Sequence, residues 1–244
     1  MIGGFIITGN ASKAVVVRGL GPSLTSSNIP ASEVLANPVL ELRGPNGNII
    51  TQNDDWKDSP QRAQIEGTIY EPESDLESVI VATLQPGAYT AILAGKNQTS
   101  GVGVVEIYDN NQAADSALAN ISTRGFVQTQ DNVMIGGFIL GNNPMSTRIA
   151  VRGLGPSLSQ FEVTNTLADP TLELHNENGT IMISNDNWQE DPASAAQLTA
   201  NGLAPQNNLE SGIFTTLPPG QFTAVLAGKD GTTGVALIEI YNLK

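Results

Sequence analysis

Cysteine is absent from this chain of 244 residues, and histidine occurs only once, as His175. Without cysteine there is no disulfide framework, no thiolate metal site and no cysteine nucleophile. A Ser-His-Asp triad would have to use His175, and nothing in the sequence marks a serine as its partner. Carboxylate pairs arise by chance in so acidic a chain, so they give no argument for glycoside hydrolysis. We therefore predict that the protein has no catalytic residues and is not an enzyme.

Positive charge is scarce as well. The 11 Lys and Arg residues against 24 Asp and Glu give a formal net charge of −13 and a pI of about 4.3. Such an excess of acid repels the phosphates of nucleic acids and anionic lipids. No apolar run approaches the ~20 residues of a membrane span. We expect neither a nucleic-acid partner nor membrane insertion, and the composition fits a soluble secreted protein or one that takes up cations.

The chain contains an internal repeat. The octamer Val17–Leu24 recurs unchanged as Val151–Leu158, and other short stretches recur at offsets of 132 to 134 positions. These include Met1–Ile6 with Met134–Ile139, Asn53–Trp56 with Asn185–Trp188, Leu76–Ser78 with Leu209–Ser211, and Glu106–Tyr108 with Glu239–Tyr241. A repeat of this length is long enough to bury a core of its own. We interpret the chain as a tandem duplication of one domain.

Each copy has the pattern of an antiparallel β fold. Short alternating runs such as Pro38–Arg43 are separated by Gly, Pro and Asn turns, and we count seven or eight strands per copy. The sequence therefore predicts two all-β, jelly-roll-like sandwiches. We place the first at residues 1–110, a linker at 111–120 and the second at 121–244. The acidic stretch Lys57–Asp75 is the least regular part, with one helical turn expected around Gln61–Glu66.

The two copies differ by one strand. Ile121–Val133 reads as a strand that leads into Met134, whereas copy one has no counterpart because the sequence starts at Met1. We read Met1 as a residue within a longer parent chain, since it occupies the position of the internal Met134. Copy one is then open at its N-terminal edge, to be covered by an upstream segment or by a strand from a neighbouring chain. The assembly-strand candidates are Ile121, Thr123, Arg124, Phe126 and Val127.

A second candidate site is the pair of acidic triplets. Carboxylate and amide oxygens are ligands that calcium prefers, and the candidate ligands are Asn53, Asp54, Asp55 and Glu77 in copy one and Asn185, Asp186, Asn187 and Glu210 in copy two. The alternative is that Asn and Asp end a strand by bonding nearby backbone. Trp56 and Trp188 follow the triplets and either stack on a sugar or are buried, and we favour burial.

Several stretches resemble known repeats. Asn120–Phe126, Met134–Phe138, the Arg-Gly-Leu-Gly-Pro-Ser-Leu corner and Thr223–Gly228 resemble a repeat of large secreted and surface proteins of environmental bacteria. More loosely, Leu172–Leu174, Asn185–Asn187 and Leu217–Thr223 are similar to bacterial pre-peptidase C-terminal domains. The second resemblance implies a secreted, often calcium-binding accessory β-sandwich, with Asp54 and Asp186 matching its acidic motif.

These observations lead to one hypothesis with an alternative. We expect an extracellular or cell-surface structural protein that associates head to tail with copies of itself through shared strands and forms filaments. The alternative is a calcium-dependent glycan-binding or adhesion module of a larger secreted protein.

Overall fold

A computed structural model describes residues 1–130, 132–141 and 146–243. The chain divides into two compact units, Met1–Ala119 and Asn120–Lys244. Nearly all regular structure is antiparallel β-strand, which confirms the predicted class of two β-sandwich units. In the described part of the chain, no helix is long and apolar enough to cross a membrane.

The first unit contains seven strands in two layers. In one layer β4, β3, β6 and β1 are neighbours in that order, and in the other β5, β2 and β7. Their bounds are β1 Ile2–Gly9, β2 Lys13–Leu20, β3 Pro38–Arg43, β4 Ile49–Asn53, β5 Ser78–Leu84, β6 Gly87–Gly95 and β7 Val104–Asp109. The strands form where the sequence alternates, because successive side chains point to opposite faces: Leu40 and Leu42 of β3 are buried, while Glu41 is partly exposed.

The second unit repeats this arrangement with one strand more. The order β12, β11, β14, β9 reproduces the first layer, and β13, β10, β15, β8 reproduces the second with β8 added beside β15. The bounds are β8 Ser116–Val127, β9 Met134–Leu140, β10 Thr147–Leu154, β11 Pro170–Asn176, β12 Ile181–Asn185, β13 Ser211–Leu217, β14 Gly220–Gly228 and β15 Gly234–Leu243. From Asn120 onward β8 belongs to this unit.

The extra strand differs from its predicted limits. β8 begins at Ser116, inside the segment predicted as a linker, and ends at Val127 rather than Val133. The residues after Val127 turn the chain back toward β9, with the Gln128 amide bonded to the Asn132 carbonyl; Asp131 of the predicted strand lies outside the described residues. Pairing with β15 decides where β8 ends, since Val127 faces Gly234, the first residue of β15.

The repeated octamer forms a corner between β2 and a short 3₁₀ helix at Pro22–Ser27. β2 continues through Gly19 to Leu20, and the corner begins at Gly21. Gly21 allows the corner to close, because a Cβ there would lie 2.0 Å from the Leu35 carbonyl oxygen. Gly155 is in the same position, 2.1 Å from the Leu167 carbonyl oxygen.

The segment after the acidic triplet covers the outer face of β2. In the first unit it contains 3₁₀ turns at Trp56–Asp58 and Arg62–Gln64, close to the predicted helical turn. Trp56 and Ile65 pack there with Val16 in a small apolar cluster, which explains why Val16 is buried between two core residues. The second unit forms a nine-residue α-helix, α1 (Pro192–Ala200), capped by the Asp191 carboxylate.

Candidate functional site

The asparagines of the acidic triplets bond the first amides of an edge strand. Asn53 Oδ1 accepts from the Val79 amide of β5 at 2.8 Å, and its amide group donates to the Asp55 carbonyl at 3.0 Å. Asn185 makes the same two bonds, with the Gly212 amide of β13 at 2.7 Å and the Asn187 carbonyl at 3.0 Å. These contacts are those of the strand-ending alternative to a calcium site.

One aspartate of each triplet is paired with a lysine. Asp54 forms an ion pair with Lys96, and Asp186 bonds Lys229 at 2.6 Å. Burial and the neighbouring Asp54 carboxylate raise the pKa of Asp55. In copy two the charge is removed, and the Asn187 amide donates to Glu190 at 2.9 Å. Asp54 and Asp186 thus each have a lysine partner, whereas Asp55 Oδ1 is buried with no hydrogen-bond partner among the described residues.

Glu77 and Glu210 each bond the corner of their own unit. Both are fully buried. One carboxylate oxygen of Glu77 accepts from the Gly21 amide, the Ser23 amide and the Ser23 hydroxyl at 2.9, 2.9 and 2.6 Å. Glu210 binds Gly155 and Ser157 in the same way at 3.0, 2.9 and 2.6 Å. Each glutamate therefore holds the corner of its own unit.

The predicted metal ligands consequently do not come together as one cluster. Among residues 1–130, 132–141 and 146–243, no group of three or more histidine, aspartate or glutamate side chains is arranged to hold a metal ion. One carboxylate oxygen of each glutamate is occupied by the corner, and Asp54 and Asp186 each pair with a lysine. The remaining oxygens Asp54 Oδ1, Asp55 Oδ1, Asp186 Oδ1 and Glu77 Oε2 are buried without a hydrogen-bond partner among the described residues. Calcium binding at the triplets stays a prediction.

The aromatic and histidine candidates are engaged within the fold. Trp56 is 1% exposed, so its predicted burial is confirmed, and it has no free face for a sugar ring. Trp188 is half-buried. The ring nitrogens of His175 lie 3.1 Å from the Gly179 carbonyl and 2.9 Å from the Glu173 carboxylate, within its own hairpin.

An outer-face network escaped the sequence reasoning. Arg18 lies 3.1 Å from the Glu106 carboxylate and donates to the Ile69 carbonyl, fastening the long segment after Trp56 to the sheet. Arg152 repeats this with Glu239 and the Leu203 carbonyl. The sequence feature that could have predicted this network is that the arginine of the octamer and the Glu-Ile-Tyr triplet both recur in the second copy.

The clearest asymmetry between the units is at β7. Among the residues that the structure describes, it is the last strand of its layer and pairs only with β2, whereas its counterpart β15 lies between β10 and β8. Ile238 and Ile240 of β15 are 1% and 5% exposed, while their counterparts Val105 and Ile107 are only half-buried. The sequence predicted that the first unit is open where this strand is missing. The structure puts the opening along β7.

A cavity of about 380 Å³ lies at one end of this edge, lined among others by Met1, Leu35, Leu93, Gly101 and Gly103. The counterparts of four of these residues, Met134, Leu167, Leu226 and Ala236, are buried in one core cluster with Val127 of β8. Val127 is completely buried there. The cavity of the first unit therefore corresponds to the place that Val127 fills in the second.

No protein-family model and no curated protein matches the chain. Among solved structures, it is similar to the atomic structure of Sulfolobus turreted icosahedral virus, with 13% identity, 98% of this chain and 85% of that chain covered, and a TM-score of 0.28. The major capsid protein of bacteriophage PM2 is 7% identical, with 98% and 91% covered and a TM-score of 0.25. Structural likeness at this level carries no argument about function. The functional proposal is based on the chain's own residues.

Proposed function

We propose that this chain is an extracellular, non-enzymatic structural protein that assembles at a cell surface or in a matrix by sharing β-strands with copies of itself. The observation that carries the proposal is the contrast between β7, which has one neighbouring strand, and β15, which has two. An uncovered edge presents backbone N–H and C=O groups that pair readily with another chain.

The other edge of the same layer is better protected. Asn53 accepts a hydrogen bond from the Val79 amide, at the second residue of β5. In the second unit, Asn185 and Ser194 accept from the Gly212 and Phe214 amides of β13. Bonds of this kind occupy groups that a foreign strand would need. For β7, the apolar side chains Val105 and Ile107 are in addition only half covered. We infer that association takes place along β7.

The expected product is a filament. An open edge and the strand that covers it are different surfaces, so the contact is head to tail and repeats until a ring closes. Strand addition derives its affinity from main-chain hydrogen bonds and its specificity from the pockets that receive alternate side chains. Both features are present at β7, which combines the free edge with the cavity at its end.

The test is the mass of the purified chain over a dilution series, measured by sedimentation velocity with electron microscopy of the concentrated sample. We expect concentration-dependent growth into linear assemblies. Val105→Lys puts a charge on the inward side of the open edge and should abolish growth. Val104→Lys is the matched control, because the adjacent valine points to the opposite face of the same strand. A chain that stays monomeric at all concentrations would contradict the proposal.

A further inference from the structure

We infer that the open edge of β7, together with the cavity at its end, forms a slot that binds an extended strand of the β8 type. The bound strand is antiparallel to β7, in one fixed register, and is donated by another chain built of this repeat. This inference deepens the proposed function by naming the chemistry of the donor. It starts from the second unit, in which the equivalent slot is filled.

The filled slot fixes the register. Ile121 of β8 lies opposite Ile240, Thr123 opposite Ile238, Gly125 opposite Ala236 and Val127 opposite Gly234. The counterparts of these β15 positions in the first unit are Ile107, Val105, Gly103 and Gly101, each at an offset of 133. A donor strand in the same register would place its isoleucine over Ile107 and its valine over Gly101.

The inward side of the slot matches such a strand. A Cβ added at Gly3 of the opposite layer would lie 3.3 Å from a methyl of Val105, so Val105 points between the layers. At Gly136, the counterpart, a Cβ would lie 3.2 Å from Ile240 and 3.3 Å from Ile238. The two slots therefore have the same inner wall, and the filled one receives Ile121 against its apolar cluster.

The cavity selects the far end of the donor. Val127 packs against Met134, Leu167 and Leu226 in the second unit, and Met1, Leu35 and Leu93 line the cavity in the first. Burial of an aliphatic side chain in this cavity stabilises the bound strand. We therefore expect the donor strand to have a small aliphatic residue at the position of Val127. Two positions earlier, where β8 has Gly125, we expect a small residue.

The donor is a second strand of the β8 type. The sequence contains one β8-type strand for two units, and from Asn120 to Val127 this strand is already paired with β15 of its own copy. Pairing of a second strand of the same kind along β7 would give the first unit the eight strands that the second unit has.

The test is binding of a synthetic peptide with the sequence of residues 118–129 to the full-length chain. Fluorescence anisotropy of the labelled peptide should show saturable binding. A peptide carrying Val127→Asp should bind at least about tenfold more weakly, because it loses the burial of the valine and places a charge beside Leu35 and Leu93. Val105→Lys in the protein should abolish binding, and Val104→Lys should retain it.

Because the chain has no cysteine, the register can be read directly by cross-linking. Val105→Cys in the protein should form a disulfide with a peptide carrying Thr123→Cys, since directly opposed residues of an antiparallel pair lie within disulfide reach. A peptide carrying Ser122→Cys, whose side chain points to the other face, should not cross-link with it.

The outcomes separate this inference from the proposed function. Cross-linking through Thr123→Cys with a chain that is monomeric at all concentrations would support the slot and contradict self-association. Self-association without peptide binding, or cross-linking only through Ser122→Cys, would overturn the inferred donor and register while leaving the structural role intact.

Discussion

Glu77 and Glu210 hold the most consequential side-chain contacts in each unit, because each accepts three hydrogen bonds at the corner without exposure to solvent. Glu77→Ala should destabilise the first unit by about 1–3 kcal/mol or more, since it leaves buried amides unsatisfied. Ser23→Ala removes only one of the bonds and should cost about 1 kcal/mol. Urea denaturation measures both, and equal losses would contradict this account of the corner.

Asp54 separates the calcium hypothesis from the ion-pair account. Calcium bound only by the folded state would raise the melting temperature by mass action, and Asp54→Ala would remove part of that gain. Lys96→Met is the informative companion, since it frees Asp54 from its ion pair without removing the carboxylate. Identical melting curves in calcium and in EDTA would contradict calcium binding and leave Lys96 as the partner of Asp54.

Tyr241 should make the second unit sensitive to alkali. Burial, with the Glu239 carboxylate as the second cause, raises the pKa of Tyr241 to about 12. Because this folded-state pKa lies above the unfolded value near 10, the contribution to stability is complete below about pH 10 and is lost as the pH rises toward 12. Tyr241→Phe should remove that part of the pH dependence of unfolding, and titration of tyrosinate absorbance should show one fewer late-titrating group.

At the scale of elements, β7 and β15 form a matched pair that differs in one neighbour. Amides of β15 are covered by β10 on one side and β8 on the other, whereas in the described part of the chain β7 has β2 as its single neighbour. Backbone groups with few covering contacts open locally at low free-energy cost. Hydrogen exchange followed by mass spectrometry should therefore show faster exchange in Val104–Asp109 than in Leu237–Asn242. The peptide of residues 118–129 should slow exchange in β7, and equal rates in the free chain would contradict an open edge.

At the scale of the whole molecule, the net charge of −13 opposes association between copies. Salt screens this repulsion, with a Debye length of about 30 Å at 0.01 M and 10 Å at 0.1 M. Strand pairing and burial of an apolar side chain depend little on salt. Self-association measured by sedimentation should therefore strengthen as sodium chloride rises from 0.01 to 0.1 M. Weaker association in salt would indicate contacts made by ion pairs instead of a shared strand.

The sequence by itself determined the class, the repeat and most strands. Alternation and turn residues are local properties, so β3 and the hairpin into β4 follow from neighbouring residues alone. The identity of the octamers and the assignment of Ile121–Val133 as a strand leading into Met134 also needed no structure. From these, two sandwiches that differ by one strand could be predicted.

Only the tertiary structure decided what the singled-out residues contact. Glu77 meets Gly21, 56 positions away, at a corner whose shape depends on the packing of Gly21 against Leu35. Asp54 meets Lys96 because β4 and the end of β6 belong to the same layer. The open edge was placed at β7, distant in sequence from Met1, since strand neighbours are set by long-range pairing. Long-range contacts of this kind leave no local pattern, which is why the missing strand was predictable and the position of its slot was not.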